Sequence, residues 1–340
     1  MISSSRTKTT AISYVATTAT ITAGSNPNYF IPYRGFVADS SGQLYTVANV
    51  YVTYPTVNRY DVVRITPNAS GTWSKTTVAG LPSIAGGFGG GMAAMGIESI
   101  CVSQNGTVGL VVSTYTSGGA SYSYIWVFTY SGTQFDLSST NYSMLYFGAT
   151  YTSTFPRGIE TIALDPTATI VYLWSRGSQI RKYTGVSFDS RLVNPTPNSS
   201  LGPTPTNGSF PNQGQAGVGL VVTSAGTIYG SYSGGIVSVT PSGTSTALTT
   251  SPADGYGNIV NTVAQYGWNG GGPITCDSDD QPILFYGGVL SKVIGGQVVP
   301  LATIPYTNLV VASPVQRLLY TLNAQDGVVV NTVGIYTPKY

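Results

Sequence analysis

The chain has 340 residues and a formal net charge of +2, and 42% of its residues are hydrophobic while only 8% are charged. Long amphipathic helices need Glu, Lys and Arg on their solvent faces, so this composition excludes a mainly helical protein and favours strands joined by turns. Aromatic residues make up 11% of the chain, which excludes the composition of a disordered protein.

The first segment, AISYVATTATITAG, predicts a strand that belongs to no repeat. It lacks the continuous apolar stretch of a signal peptide. No segment reaches the roughly 18 consecutive apolar residues of a membrane-spanning helix, so we expect no membrane insertion. We expect residues 1–30 to form a strand and an arm that close the fold.

Six segments after it share one pattern of a strand, a tight turn and a second strand. A small polar residue sets each turn, and Gly follows it in several copies, as hairpin chemistry requires. An apolar or aromatic pair in the second strand would fill the space between neighbouring sheets. Copies 1 to 6 have the turn residues Asp39, Ser103, Asp165, Thr223, Asp277 and Ser313.

A third strand follows in most copies, and several copies end in an outer strand. Four strands in each of six copies predict a single all-β domain over residues 1–340, a six-bladed β-propeller. The last copy has three strands, so we expect the N-terminal strand to complete it and to close the ring. Two segments interrupt the rhythm, at about 82–95 and 194–216, and their Gly and Pro content predicts long interblade loops.

The repeated pattern is an apolar strand, then D/S-x-x-G-x-[LVI]-Y, then a strand that ends in a T-P or Y-S-G turn. Over nearly the whole chain it resembles NHL-repeat, YVTN-like and gluconolactonase-like propellers. Such a resemblance implies a fold and no particular activity.

Gluconolactonase-like enzymes hold a divalent cation with acidic and amide residues at the central tunnel. Glu98 and Glu160, in GIES and GIET, are candidate metal ligands because they occupy the same position in two adjacent copies. The other copies offer Val37, Gly219, Ile274 and Leu309 in roughly that register. This leaves too few ligands, so we expect structural ion pairs with Arg34 or Arg157 instead of a metal.

The chain contains no His, which excludes imidazole general bases and the usual nucleophilic triads, and we predict neither catalytic residues nor a cofactor. Asp277 and Asp279 lie in an acidic turn that resembles a weak Ca²⁺ loop, and a solvated turn is the favoured interpretation. Tyr266, Trp268 and Asn269, in the YGWNGGG loop, could bind a sugar ring, although packing in the core or at an interface is favoured.

The two cysteines, Cys101 and Cys276, occupy first strands that stand opposite each other in a sixfold ring. Their Cα atoms would lie too far apart for a disulfide, so we expect two buried free thiols. The 14 basic residues are scattered and form no basic stripe, so nucleic acid is not an expected partner.

The composition predicts a surface of hydroxyl and amide groups in which few groups change charge between neutral and acidic pH, because there are only 12 carboxylates and no His. This amino-acid composition is similar to the composition of virion proteins of acidophilic archaeal viruses. We therefore expect a non-enzymatic structural or attachment protein on a virion surface or another extracellular surface, in contact with other structural proteins there. The alternative is a carbohydrate-binding propeller that recognises host glycans, and a metal-dependent lactonase-like hydrolase is the third hypothesis.

Overall fold

A computed structural model shows an all-β protein built from hairpins. It describes residues 13–21, 28–29, 36–53, 56–68, 72–81, 95–117, 120–129, 143–147, 157–176, 180–184, 217–232, 235–250, 274–286, 289–303, 309–314, 318–325 and 328–339. The loops predicted at about 82–95 and 194–216 lie outside these residues, apart from residue 95. Among the residues that the structure describes, no helix is long and apolar enough to cross a membrane.

The strands follow the predicted copies in chain order. Before the copies come β1 (Ser13–Ile21) and β2 (Asn28–Tyr29). Copy 1 has β3 (Phe36–Ala38), β4 (Leu44–Thr53), β5 (Thr56–Thr66) and β6 (Thr72–Leu81), and copy 2 has β7 (Met95–Val102), β8 (Val108–Ser117), β9 (Ala120–Thr129) and β10 (Ser143–Phe147). Copy 3 has β11 (Arg157–Leu164), β12 (Ile170–Arg176) and β13 (Ile180–Thr184).

The second half of the chain repeats this order. Copy 4 has β14 (Gly217–Val222), β15 (Ile228–Tyr232), β16 (Gly235–Val239) and β17 (Ser245–Thr250), and copy 5 has β18 (Ile274–Cys276), β19 (Pro282–Tyr286), β20 (Val289–Ile294) and β21 (Gln297–Thr303). Copy 6 has β22 (Leu309–Ala312), β23 (Leu319–Gln325) and β24 (Val328–Lys339). The predicted third strand of each copy is therefore present.

In each of the six hairpin turns, the N–H of the turn residue donates to a carbonyl four or five positions later, and in copies 1 to 5 the carbonyl of the turn residue accepts the N–H of the residue three positions later. In copy 1 the N–H of Asp39 donates to the carbonyl of Gln43, and its own carbonyl accepts the N–H of Gly42, both at 3.0 Å. A residue of positive φ follows three positions after the turn residue, as in a type I turn with a bulge. In copies 1 to 5 this residue is Gly42, Gly106, Ala168, Gly226 and Asp280.

The strands combine into four sheets of nine, four, three and eight strands, where the sequence predicted six separate units. Two short parallel bridges account for the difference. Thr20 and Ile21 of β1 pair with Thr72 and Trp73 of β6, and two residues of β17 pair with two of β21 in the same way. Since the outer strands of neighbouring copies touch, copies 1 and 6 share one sheet, as do copies 4 and 5.

The N-terminal strand lies beside the last strand of the chain. β1 runs antiparallel to β24 in a continuous register from Ser13 opposite Lys339 to Thr20 opposite Thr332. It is thus the fourth strand next to β22, β23 and β24. The two ends of the chain are held together by backbone hydrogen bonds over eight paired positions.

Apolar side chains pack between neighbouring copies. Trp73 of copy 1 and Tyr320 of copy 6 meet edge to face, with ring centroids 5.7 Å apart and planes at 75°. Burial of side chains of this kind stabilises a fold by about 1.5–3 kcal/mol each. The cluster between copies 1 and 6 contains Phe36, Leu44, Val63, Ile65, Trp73, Val311 and Tyr320, and further clusters join copies 3 to 4, 4 to 5 and 5 to 6.

The first strands of the copies contact one another in sequence order. β3 contacts β7, β7 contacts β11, β11 contacts β14, β14 contacts β18, β18 contacts β22, and β22 contacts β3. Between β14 and β18 the approach requires a glycine. A Cβ at Gly219 would lie 2.8 Å from the backbone nitrogen of Ile274.

Candidate functional site

The six first strands surround a central cavity of about 160 Å³, and each of them contributes to its wall. Every first strand lies at the edge of its sheet, and the described strand that pairs with it is the second strand of its own copy. Its other edge faces inward, so backbone N–H and C=O groups line the cavity. Lining residues include Phe36, Ser99, Thr161, Leu220, Ile274 and Val311.

Some of these inward groups are satisfied from the neighbouring strand. The backbone N–H of Ile162 on β11 donates to Oγ of Ser99 on β7 at 3.4 Å, and Ser99 is 5% exposed. Gly219 occupies the position of Ser99 in copy 4 and has no hydroxyl to offer the backbone of Ile274. The cavity wall therefore differs in hydrogen-bonding capacity around its circumference.

Three of the six hairpin turns contribute residues to the cavity lining. We name the described residues of the six turns, 39–43, 103–108, 165–170, 223–227, 277–281, 313–314 and 318, the turn ring. Gln104, Asp165, Pro166 and Pro314 belong both to these turns and to the cavity lining. The described side chains that are exposed on the turn ring, such as Ser40, Gln104 and Thr107, are almost all uncharged.

The first turn is organised by a buried carboxylate. Oδ1 of Asp39 accepts the N–H of Ser41 at 2.9 Å, its hydroxyl at 2.6 Å and the N–H of Gln43 at 3.0 Å. Oδ2 accepts the hydroxyl of Tyr45 at 2.8 Å. Asp39 is 2% exposed, so the turn itself supplies the donors that a buried charge requires.

Asp165 does the same in copy 3. Its carboxylate accepts the N–H groups of Thr167, Thr169 and Ile170 at 3.0, 2.8 and 2.6 Å, and it also accepts the Thr167 hydroxyl. Carboxylates with several backbone donors fix a turn firmly. In both turns the carboxylate already accepts several hydrogen bonds from its own turn.

In copy 2 a hydroxyl and an amide replace the carboxylate. Oγ of Ser103 accepts the N–H of Val108 at 3.0 Å and donates to Oδ1 of Asn105 at 2.7 Å. The same Oδ1 accepts the N–H of Thr107 at 3.1 Å and its hydroxyl at 2.7 Å. Three donors thus converge on the carboxamide oxygen of an exposed asparagine.

Adjacent turns of the turn ring are bonded to each other at two places. Between copies 1 and 2, the N–H of Ser40 donates to the carbonyl of Gln104 at 2.7 Å. Between copies 4 and 5, Oδ2 of Asp280 accepts the N–H of Ser224 at 2.9 Å and its hydroxyl at 2.6 Å. Sequence reasoning identified the turns and missed both links; the one available signal was Asp280 at a position where three other copies have Gly.

The acidic pair proposed from the sequence lies at matching β-bulges. The register between β7 and β8 shifts between Ile97 and Ser99, which makes Glu98 an extra residue, and Glu160 is an extra residue of β11 in the same way. In β14 the equivalent position is Val218, one residue before the Gly219 expected from the sequence. Bulges re-aim side chains and are frequent near functional sites.

The backbone at Glu98, Glu160 and Arg157 is described and the side chains are not, while Arg34 lies outside the described residues altogether. The predicted ion pairs therefore stay predictions. Among the described residues, no group of three or more His, Cys, Asp or Glu is arranged to hold a metal ion.

A lysine side chain from β20 contacts the carboxylates of the acidic turn in copy 5. Nζ of Lys292 lies 2.7 Å from Oδ2 of Asp277 and 3.7 Å from Oδ2 of Asp279. Oδ1 of Asp277 also accepts two backbone N–H groups, from Asp279 and Gln281. An ammonium group thus lies where the sequence suggested a weak Ca²⁺ loop.

Both cysteines are free and line the cavity wall; Cys101 is buried as predicted, whereas Cys276 is half-buried. Desolvation by burial raises the pKa of both thiols above the usual range, and Asp280 and Asp277 add to the effect at Cys276. Such thiols are poor nucleophiles. The sugar-binding candidates Tyr266, Trp268 and Asn269 lie outside the described residues.

Comparison with known proteins adds information on the fold only. No protein-family model and no curated protein matches the chain. The chain resembles a structural-genomics protein of unknown function from Bacteroides thetaiotaomicron VPI-5482, with a TM-score of 0.51 and 14% identity over 96% of this chain and 76% of that chain. This likeness agrees with an all-β, propeller-type fold.

Two further solved structures are similar at a lower level. A chain of a nidogen/laminin complex has a TM-score of 0.49 and 11% identity, over 77% of this chain and 82% of that chain. A chain of a mitotic checkpoint complex has a TM-score of 0.49 and 13% identity, over 95% of this chain and 90% of that chain.

Proposed function

We propose that this protein is a non-enzymatic structural or attachment module of an exterior surface, such as that of a virion, and that it acts through contacts with other structural proteins. The observation that carries the proposal is the turn ring. It presents hydroxyl and amide groups on turns whose backbone and side chains are already hydrogen-bonded to one another. A surface that is ordered before binding loses less entropy on docking.

The architecture that goes with this function is a closed ring of six blades. Three features support it: the cyclic contacts of the six first strands, the apolar cluster between copies 1 and 6, and the pairing of β1 with β24. Averaged electron-microscopy images viewed down the cavity axis test this. Six lobes are expected, and an open arc or another number of lobes would refute it.

The exterior role is supported by composition. The chain is 8% charged and lacks His, so few of its groups titrate on acidification, and the surface relies on hydroxyls for solubility. The same lack of His disfavours most hydrolytic mechanisms. Hydrogen-bonded turns and low charge suit a protein that makes repeated contacts under variable conditions.

The deciding experiment is cross-linking mass spectrometry with stoichiometry on the native source of the protein. A fixed number of copies per particle, cross-linked to capsid, tail or surface proteins, is expected. A free monomer that is cross-linked to no capsid, tail or surface protein would contradict the proposal. The two predicted loops at about 82–95 and 194–216 are the segments in which we expect cross-links.

The second candidate is a carbohydrate-binding propeller, favoured by the exposed hydroxyl and amide groups of the turn ring. It predicts binding of neutral oligosaccharides by the purified protein, which titration calorimetry would detect. The third candidate is a metal-dependent lactonase-like hydrolase, favoured by Glu98 and Glu160 at matching bulges of adjacent strands. It predicts Ca²⁺ binding that is lost in Glu98→Gln and Glu160→Gln, and no binding in the wild type would exclude it.

A further inference from the structure

Asn105 is followed by Gly106, and this dipeptide is chemically the most prone to deamidate. In the reaction, the backbone nitrogen of Gly106 attacks Cγ of Asn105. A new N–C bond forms, the nitrogen loses its proton to water, and the Asn105 carboxamide nitrogen leaves as ammonia. Water then opens the cyclic imide to give aspartate or isoaspartate at position 105. Water is the only co-reactant, and nothing is oxidised or reduced.

Both reacting groups are held by the turn. The attacking N–H of Gly106 donates to the carbonyl of Ser103 at 2.9 Å. The carboxamide oxygen of Asn105 accepts three hydrogen bonds, from the Ser103 hydroxyl and from the N–H and hydroxyl of Thr107. Ring closure requires the peptide unit between residues 105 and 106 to rotate, so these bonds must break before the nitrogen can reach Cγ.

The neighbouring copy holds the same peptide in place. The carboxylate of Asp39 lies against Gly106 so closely that a side chain at position 106 would overlap it, and the Tyr45 hydroxyl lies 3.1 Å from where a Cβ would be. The N–H of Ser40 bonds to the carbonyl of Gln104, one residue before the reactive pair. Rotation of the peptide therefore requires the first and second turns to separate.

We propose that Asn105 is a deamidation site gated by the contact between the first and second turns: it stays intact while the contact holds and reacts when the contact opens. Asn105 is exposed, so water has access and the constraint is conformational. The inference goes beyond the proposed function and does not depend on it.

The test follows conversion at Asn105 by peptide mass spectrometry in mildly alkaline buffer. We compare folded protein with protein unfolded in denaturant at the same pH. Conversion in the folded protein is expected to be slower by about tenfold or more, since several hydrogen bonds must open first. Equal rates in the folded and unfolded chain would overturn the proposal.

Ser40→Pro tests the gate itself. Proline is favoured at the second position of such a turn, so the substitution removes the N–H that bonds Gln104 and retains the turn. Ser224→Pro is the matched control, because it removes the equivalent link between copies 4 and 5. We expect Ser40→Pro to accelerate conversion at Asn105 several-fold and Ser224→Pro to leave it unchanged; equal effects of the two would contradict a local gate.

Hydrogen exchange of the wild type gives an independent readout that needs no variant. The Gly106 amide should exchange slowly, with a protection that falls in parallel with the rise in conversion as denaturant is added below the unfolding midpoint. A fast-exchanging Gly106 amide in the folded protein would overturn the proposal even if Ser40→Pro failed to fold.

Discussion

Trp174 of β12 lies against Gly230 of β15, so closely that a Cβ at position 230 would overlap its six-membered ring. The tryptophan is 2% exposed and belongs to the cluster that joins copies 3 and 4. Glycine at position 230 is therefore required by the contact with Trp174 of the neighbouring copy.

Gly230→Ala should destabilise the protein by about 1–3 kcal/mol, because a buried aromatic ring must move to admit the methyl group. Urea unfolding with an unchanged slope measures the loss. In a Trp174→Leu background the same substitution should cost clearly less, since the ring that blocks it is gone. Strict additivity of the two changes would show that Trp174 is not the obstacle.

Ala168→Gly should stabilise the third turn. Ala168 has a φ of 56°, a left-handed conformation that costs a residue with a Cβ roughly 1–2 kcal/mol, so the net gain should be about 0.5–1 kcal/mol after the entropy of glycine. Thermal unfolding measures it. Gly226→Ala, at the equivalent position of copy 4 with a φ of 78°, should have the opposite sign. Like signs for both would refute the strain argument.

Asp39→Ala should cost about 2–4 kcal/mol, because it removes a buried carboxylate that accepts hydrogen bonds from two backbone N–H groups of the first turn and from the buried Tyr45 hydroxyl. Asp279→Ala serves as the control, since that side chain is 49% exposed, and should change the free energy of unfolding by less than about 0.5 kcal/mol. Chemical denaturation measures the free energy of unfolding of both variants. A similar loss in each would contradict the role assigned to Asp39.

Stability should fall steeply in alkaline solution. Burial raises the pKa of Tyr172, Tyr229 and Tyr320, and nearby Asp165 adds to the effect at Tyr172. Each group keeps its proton longer in the folded chain than in the unfolded chain. Its contribution is therefore complete below the unfolded-state pKa of about 10 and is lost as pH rises through the folded-state value.

Tyr320→Phe tests this directly, because burial is the only cause of the pKa shift of Tyr320. The free energy of unfolding, measured from pH 8 upward, should decline less steeply above about pH 10 in this variant than in the wild type. Parallel curves for the two proteins would show that Tyr320 does not contribute.

The hairpins were predictable from sequence because their determinants are local. Asp39 and Gly42 sit within one turn, and the small polar residue and the glycine both leave a compositional mark. For the link between Ser224 and Asp280 the sequence offers only the replacement of Gly by Asp280, which does not identify Ser224 as the partner, since the two residues are 56 positions apart and their proximity depends on the packing of two copies. The bridge of β1 to β6 likewise depends on tertiary placement of two residues.

Strand register was the second feature that the sequence did not predict correctly. Alignment by the apolar pattern placed Gly219 opposite Glu98 and Glu160, whereas the bulge in β14 places Val218 there. A bulge adds one residue to a strand and shifts every later side chain to the other face, and periodicity alone does not reveal it. The acidic pair was identified, and its unusual backbone was not.

The pairing of β1 with β24 has a consequence for how the protein is made. Lys339 is synthesised 326 residues after its partner Ser13. During synthesis β1 cannot pair with β24 until the six copies between them have been made. Contacts of such long sequence separation form slowly, so the pairing of β1 with β24 is expected to be the final and rate-limiting event of folding.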